Sequence, residues 1–320
     1  MPGLTPRPGS LKNPLSAGAR PVTGLPPASR WRKRPRHCKR GWTSWRCCLS
    51  PPERQRQELG FRSALGAVLL AVKGQAPSET GQAYARAREL WEQLGSPSEF
   101  LRVPYGQSLY HVFRGEFDLA LRLDEDLVRL SRQRSDSGGL VLGHLSSGRT
   151  LFICGRFASS RSHLEEVLAL YDPIPHGSLV HHTTTHPHVN SQAILGIDLF
   201  CLGFPEQALA QGGPAIAQAR RLAHPQTLAV TLGIGAVLLS LVGDDAALDE
   251  WVDQLVAVTT EQDIPSWRAL GTFHRGWVKV KNGDVTDGIF LLRTRWRLSA
   301  LSGRSCLCPI TSPSSPAHVS

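Results

Sequence analysis

Apolar residues return at helical spacing along most of this chain, as in Leu199, Leu202, Leu209 and Ile216, or Leu248, Val252, Leu255 and Val256, and strand-like alternation is absent. Glycines punctuate the pattern at Gly74, Gly115, Gly155, Gly203, Gly243 and Gly283, with successive gaps of 41, 40, 48, 40 and 40 residues. A period of about 20 to 50 residues marks an array whose units bury their apolar faces against one another. Seven residues before the last five glycines stand Ser108, Gly148, Gly196, Ala236 and Gly276; five residues after them stand Ala120, Ser160, Ala208, Leu248 and Gly288. Small side chains on both sides of a turn let two helices approach closely, and a glycine past a helix end accepts the left-handed backbone of a tight reversal. The predicted fold is all-α: an α-solenoid of five to six antiparallel helix pairs, each glycine closing the first helix of its pair.

The 48-residue gap predicts an insertion around Pro173, Pro175 and the run 176–188, read as a polar loop beside the array. Exposed helix faces should carry Asp118 with Arg122 and Glu125 with Arg129 four residues apart. Residues 1–60 hold 13 Lys and Arg against two acids, and the remainder holds 23 against 24, so the formal charge of +10 belongs to the N-terminal tail. That tail also contains ten prolines in its first 60 residues and lacks a periodic apolar pattern. The predicted organisation is a disordered basic Pro/Arg-rich tail over 1–48, a repeat domain over 49–292 and a disordered tail over 293–320. Arrays need polar caps at their ends, so one flanked by unpatterned tails should be marginal, melting broadly or oligomerising.

Candidate chemistry is sparse. His176, His181, His182, His186 and His188 include the four-residue spacing of His182 and His186 that can share a metal on a helix. Thr183, Thr184, Thr185 and Pro187 oppose a helix there, and no carboxylate sits among them. Trp31, Trp42 and Trp45 among Arg32, Lys33, Arg34, Arg36, Lys39 and Arg40 could hold phosphates and stack bases, but nothing folded presents them. Cys47 with Cys48, and Cys306 with Cys308, lack a second ligand pair for zinc. Cys154 and Cys201 lie on apolar helix faces, where a free thiol is expected to be buried. Gly233 and Gly235 open a weak dinucleotide-like run whose third glycine is replaced by Leu238, which favours close helix packing. Asp124, Glu125 and Asp126 splay around a helix and do not form an acid–base pair. Phosphate-cradling loops, serine elbows and zinc-peptidase motifs are absent from the sequence, so no enzyme and no cofactor is expected. The apolar run 228–242 is 15 residues and contains two glycines, short of a spanning helix of about 20. A cytoplasmic protein with protein or peptide partners, and neither membrane nor nucleic acid, is the resulting expectation.

Three stretches carry a resemblance: LGFPEQALA from Leu202, LAHPQTLAVTL from Leu222, and W-x3-G-x4-GW-x5-G-x4-GI from Trp267 to Ile289. Their wording resembles the tetratricopeptide-like C-terminal region of bacterial proteins that join a class III adenylate or guanylate cyclase domain to a signalling ATPase. The resemblance covers about residues 49–292 and implies a cytoplasmic array that senses a ligand or partner and restrains catalytic modules. Neither module is recognisable in this chain. In a shifted frame, a GC-rich coding sequence for Arg36 to Leu49 can give ALQAGLDLLALLP, and the segment Gly303 to His318 permits GAEL and PHYIALLAR. Both tails are therefore expected to be frame-shifted remnants of helical repeats, which sequencing the gene tests. The alternatives are the effector-sensing array of a bacterial transcriptional activator, and a zinc enzyme using the histidine run.

Overall fold

The computed structural model describes residues 50–73 and 78–301. Gly74, the two tails before residue 50 and after residue 301, and the side chain of His182 lie outside the described residues. Every regular element among those described is helical. The helices pair as α1 (Pro51–Lys73) with α2 (Ser78–Gln93), α3 (Arg102–Phe113) with α4 (Phe117–Gln133), and α5 (Ser137–Ile153) with α6 (Phe157–Leu170). Short helices α7 (Pro173–His176) and α8 (Val180–Thr183) follow, joined by a 3-10 turn at Gly177–Leu179. The array resumes with α9 (Pro187–Cys201) and α10 (Pro205–Arg221), α11 (Pro225–Val242) and α12 (Asp245–Glu261), and α13 (Pro265–Lys281) and α14 (Val285–Leu301). Helix α14 thus continues nine residues past the sequence boundary at 292.

The helix starts are written locally. Pro187, Pro205, Pro225 and Pro265 stand in the first turns of α9, α10, α11 and α13, where the missing N–H costs nothing. Asp136 Oδ1 accepts from Gly139 N at 2.9 Å and Asp244 Oδ1 from Ala247 N at 3.1 Å, capping α5 and α12. Two turns alternate along the array. Within hairpins, Gly115, Gly155, Gly203, Gly243 and Gly283 adopt φ between 72° and 90° with open space around them. Between hairpins, Ser96, Ser135, Ala223 and Asp263 take the same left-handed region at φ 48° to 56° without being glycine. Backbone cost therefore sets both substitutions. Gly155→Ala should destabilise by about 1 kcal/mol, and Ala223→Gly should stabilise by roughly 0.5 kcal/mol after the unfolded-state entropy is counted. Urea midpoints measure both.

The small residues meet across each hairpin. Ser160 lies against the Gly148 carbonyl, its Oγ at 2.8 Å; a Cβ on Gly196 would stand 3.3 Å from the Ala208 carbonyl, and one on Gly276 2.9 Å from that of Gly288. The first helices of successive hairpins also touch directly, α3 on α5, α5 on α9, α9 on α11 and α11 on α13, while each second helix packs on the next first helix. First helices consequently form one continuous layer, and α5 and α9 are buried along almost their whole length. The central core runs through Leu142, Leu145, Leu164, Val167, Ile194, Ile197 and Leu238.

Helix α11 is long and apolar enough to cross a membrane by length and composition, and starts three residues before the run seen in the sequence. Gly233 and Gly235 on it receive the rings of Trp267 and Trp251, where an added Cβ would meet ring carbons at 2.5 and 2.6 Å. Those glycines serve helix packing. At the ends of the array, Phe61, Leu65 and Val68 on α1 and Val285, Ile289 and Phe290 on α14 are exposed. Each set lies at helical spacing, on the side where a further hairpin would pack.

Candidate functional site

The insertion is folded onto the array, which corrects the expectation of a loop beside it. Leu179 is buried in the cluster that contains Leu101 and Tyr105 of the α3 segment and Val141, Leu142 and Leu145 of α5, and a Cβ on Gly138 would stand 3.5 Å from Leu179 Cδ2. Helix α8 packs on α3. Positions 138, 141, 142, 145 and 149 share one side of α5, so the insertion lies along the free side of the first-helix layer. Thr183 donates to the Leu179 carbonyl at 3.0 Å, and Asn190 Nδ2 of α9 donates to Thr185 Oγ1 at 3.2 Å. Thr184 is β-branched yet holds φ 63°, a strained position kept by the surrounding contacts.

Next to this seat lies a buried polar network. Arg149, 8% exposed, donates from Nη1 to Tyr105 Oη at 2.7 Å and from Nη2 to Ser146 Oγ at 3.2 Å, and its guanidinium sits 5.0 Å from the Tyr105 ring centroid. Its Nε has no hydrogen-bond partner, nor has Nε of Arg102 on α3. Thr150 donates to Asp124 Oδ2 at 2.8 Å. Burial raises the Asp124 carboxyl above its ordinary value, opposed by hydrogen bonds from Ser108, Ser146 and Thr150 and by the charge of Arg149. Glu125 is exposed and Asp126 pairs with Arg129 at 2.7 Å, so the three consecutive acids do splay.

The histidines gather around Tyr171. Its ring centroid lies 5.8, 5.1 and 5.4 Å from those of His176, His186 and His188. His176 Nδ1 accepts from Asp172 N at 3.0 Å, which leaves Nε2 to donate to Ser137 Oγ at 2.8 Å. His186 Nε2 meets Tyr171 Oη at 3.0 Å, and its backbone N donates to Thr227 Oγ1 at 2.9 Å. His224 caps α11, its Nδ1 accepting from Thr227 N at 3.2 Å and from the Thr227 hydroxyl at 2.7 Å. Burial pushes His186 down to about 4, helped by His188 and His224; burial also lowers His188, against a hydrogen bond to Gln218, and lowers His224, helped by His181. All three are neutral near pH 7. His176, His186 and His224 use ring nitrogens on Ser137, Tyr171, Thr227 and backbone, while Nδ1 of His186 and of His188 is buried without a hydrogen-bond partner; among the described residues no three His, Cys, Asp or Glu side chains group as a metal site. His186 precedes α9 while α8 ends at Thr183, so His182 and His186 do not share a helix.

On the other side of the array, the second helices stand apart over the first helices and leave shallow grooves. One of about 420 Å³ lies over α5 between α4 and α6, lined by Glu125, Val128, Arg129, Arg132, Ser147 and His163. His163 and His144 bring their Nδ1 atoms to 3.2 Å, and burial lowers both. A second, of about 260 Å³, lies between α6 and α10 over α9. Cys201 is exposed and Cys154 half-buried, contrary to the buried thiols expected; each follows or ends a first helix at its turn, beyond the reach of the core.

The turn glycines stand at the hairpin corners and line neither the insertion's seat nor these grooves. Sequence reasoning did not identify Tyr105, Arg149, Asp198 or His224. Asp198 had a usable signal, being a lone acid inside the apolar stretch AILGIDLFC, whereas His224 is 38 residues from His186 and joins it only through the packing of α9 on α11.

No family model matches the chain, and no curated protein matches it. Family matching therefore gives no support to the cyclase–ATPase parentage implied by the three stretches. The crystal structure of Rap protein complexed with Competence and Sporulation Factor is similar, with a TM-score of 0.53 and 13% identity over 79% of this chain and 78% of that one. The likeness is one of fold: this chain is a tetratricopeptide-like α-solenoid.

Proposed function

We propose that the array is a non-catalytic interaction and regulatory segment, cytoplasmic, with a protein or peptide as its partner. The observation that carries this reading is the unbroken layer of first helices, one side of which carries Tyr105, Arg149 and Asn190 among apolar side chains over α3, α5 and α9 and already seats a segment of the chain itself, the insertion. Such a layer offers an elongated seat for an extended segment. Asp124, Asp198 and His186 on Tyr171 are buried in separate places, Asp124 and Asp198 each bonded to a structural hydroxyl, which suits recognition better than acid–base chemistry. The fold shared with a Rap protein, solved there in complex with Competence and Sporulation Factor, supports the same class of role.

The more specific reading is that the array restrains cyclase and ATPase modules of a signalling protein, and the stretches at Leu202, Leu222 and Trp267 support it. Reading the flanking DNA in every frame tests it. A class III cyclase domain encoded upstream is the expected result; a helix-turn-helix encoded downstream, with no cyclase, would replace it by the transcriptional-activator reading.

A further inference from the structure

We propose that the insertion 172–186 is a resident occupant of the first-helix face, held by histidine acceptors and displaced on acidification by an extended segment carrying a branched aliphatic side chain and a carboxylate. This rests on the interaction role proposed above and names its partner and regulation.

The geometry of the attachment carries the argument. At one end of the insertion the Asp172 N–H donates to His176 Nδ1, and at the other the Thr227 N–H and hydroxyl donate to His224 Nδ1 while Thr227 Oγ1 accepts from His186 N. An imidazole nitrogen that gains a proton becomes a donor and loses these bonds. The second end of the insertion is thus fastened through an acceptor, His224 Nδ1, that acid removes. The groups facing these rings are Tyr171 before the insertion, Asp172 and His181 within it, Ser137 on α5, His188 on α9, Gln218 on α10 and Thr227 on α11. Asp172 is the one carboxylate among them, and it is occupied in capping α7 at Ile174 N, 2.9 Å away. Little there offsets a rise in positive charge.

The sign follows. The closed form binds fewer protons than the open form, because burial depresses His186, His188 and His224, so closure strengthens as pH rises and weakens as pH falls from about 6.5. With His186 at about 4 against 6.5, opening at pH 5 becomes about 30-fold easier on that residue alone. Strain at Thr184 favours the same release.

The chemistry of the seat identifies the replacement. Leu179 fills the apolar site between α3 and α5 at Gly138, and about 16 Å farther along α5 Arg149 is a buried cation with an unpartnered Nε and, among the described residues, no ion pair, its charge acting on the Asp124 carboxyl from beyond ion-pair distance. The insertion brings no acid to it. A partner that supplied an aliphatic side chain for the Leu179 site and a carboxylate for Arg149 would gain an interaction the resident lacks.

Hydrogen exchange on the full chain at pH 7.5 and 5.0, corrected for intrinsic rates, tests the release. Amides 176–186 should lose protection at least tenfold at pH 5.0 while those of α5 and α9 keep theirs. The double variant His186→Asn, His224→Asn, which removes both titrating rings and keeps a non-titrating acceptor at each place, should restore protection at pH 5.0. Uniform loss across the array, or no rescue, would overturn the strap. The seat is tested with a labelled synthetic copy of residues 172–186 and with copies in which one glutamate is scanned through positions 180–185. All should bind the chain at pH 5.0 and not at 7.5, one glutamate copy at least fivefold tighter than the native segment, with that advantage lost in Arg149→Met. Release without capture of any of these peptides would overturn this partner chemistry, while the interaction role proposed above falls only if the full chain, opened at pH 5.0, captures no member of a random peptide library either.

Discussion

Gly196→Leu should destabilise the centre of the array by about 3 kcal/mol, whereas Gly276→Leu should release the last hairpin and leave the rest folded. Gly196 faces the Ala208 carbonyl at 3.3 Å, Leu238 Cδ2 at 3.3 Å and Gly212 N at 3.8 Å, measured from an added Cβ. A methyl group is tolerable there; an isobutyl group must push α10 and α11 away together. Gly276 is tighter, its added Cβ standing 2.9 Å from the Gly288 carbonyl and 3.1 Å from Leu292 N, but these contacts belong to α14, which packs on α13 at one end of the stack. Hairpins that touch only their neighbours lose stability locally at an end and on two interfaces in the middle. Urea unfolding followed by circular dichroism, with limited proteolysis to locate the opened segment, separates the outcomes. Gly196→Ala should cost less than 1.5 kcal/mol. Equal global losses from the two leucine variants would contradict a nearest-neighbour stack.

How much of this was legible depends on whether a feature repeats. The hairpin corners were visible because close backbone approach favours small side chains, and that demand recurs from Ser108 to Gly288 at intervals of 40 residues, or 48 across the insertion, with Leu248 the one large residue in the series. The turns between hairpins were hidden, since Ser135, Ala223 and Asp263 bear side chains in a conformation normally signalled by glycine. Tertiary packing imposes that conformation. The insertion was legible as extra length but not as structure: helices of four residues have no periodicity to read, and Thr183 and Thr185 are buried through hydrogen bonds to backbone and to Asn190. Its histidines read as part of a polar loop beside the array because Thr183, Thr184, Thr185 and Pro187 oppose a helix there. The ring of Tyr171 and the acceptor chain through Thr227 exist only once α9 lies on α11. Arg149 was equally opaque, being an arginine on a helix whose other residues are nearly all buried.

Asp198 should make the array lose stability as the solution becomes more alkaline, opposite in sign to the histidines. The residue is fully buried on α9, with its Oδ2 2.6 Å from Ser160 Oγ, while that same Oγ lies 2.8 Å from the Gly148 carbonyl. A hydroxyl has one hydrogen and cannot donate to both oxygens. The arrangement closes if the carboxyl is protonated and donates to Ser160, which then donates to Gly148. Burial pushes Asp198 up to about 7 from 3.8, against the pull of the Ser160 hydrogen bond. Between those two values the folded chain holds a proton that the unfolded chain releases, so stability is greatest below pH 4 and falls as pH rises, by about 4 kcal/mol once pH 7 is passed. The depressed histidines add stability with rising pH over much of the same range, so the total curve mixes two slopes. Asp198→Asn separates them: its amide N–H can donate to Ser160 as the protonated carboxyl does, and it does not titrate. Urea midpoints for the wild type and this variant should draw apart between pH 5 and 8, the variant gaining about 2.5 kcal/mol relative to the wild type. Parallel curves would mean that the carboxyl is ionised throughout, and the hydrogen-bond chain from α9 through Ser160 to α5 would need another source for its proton.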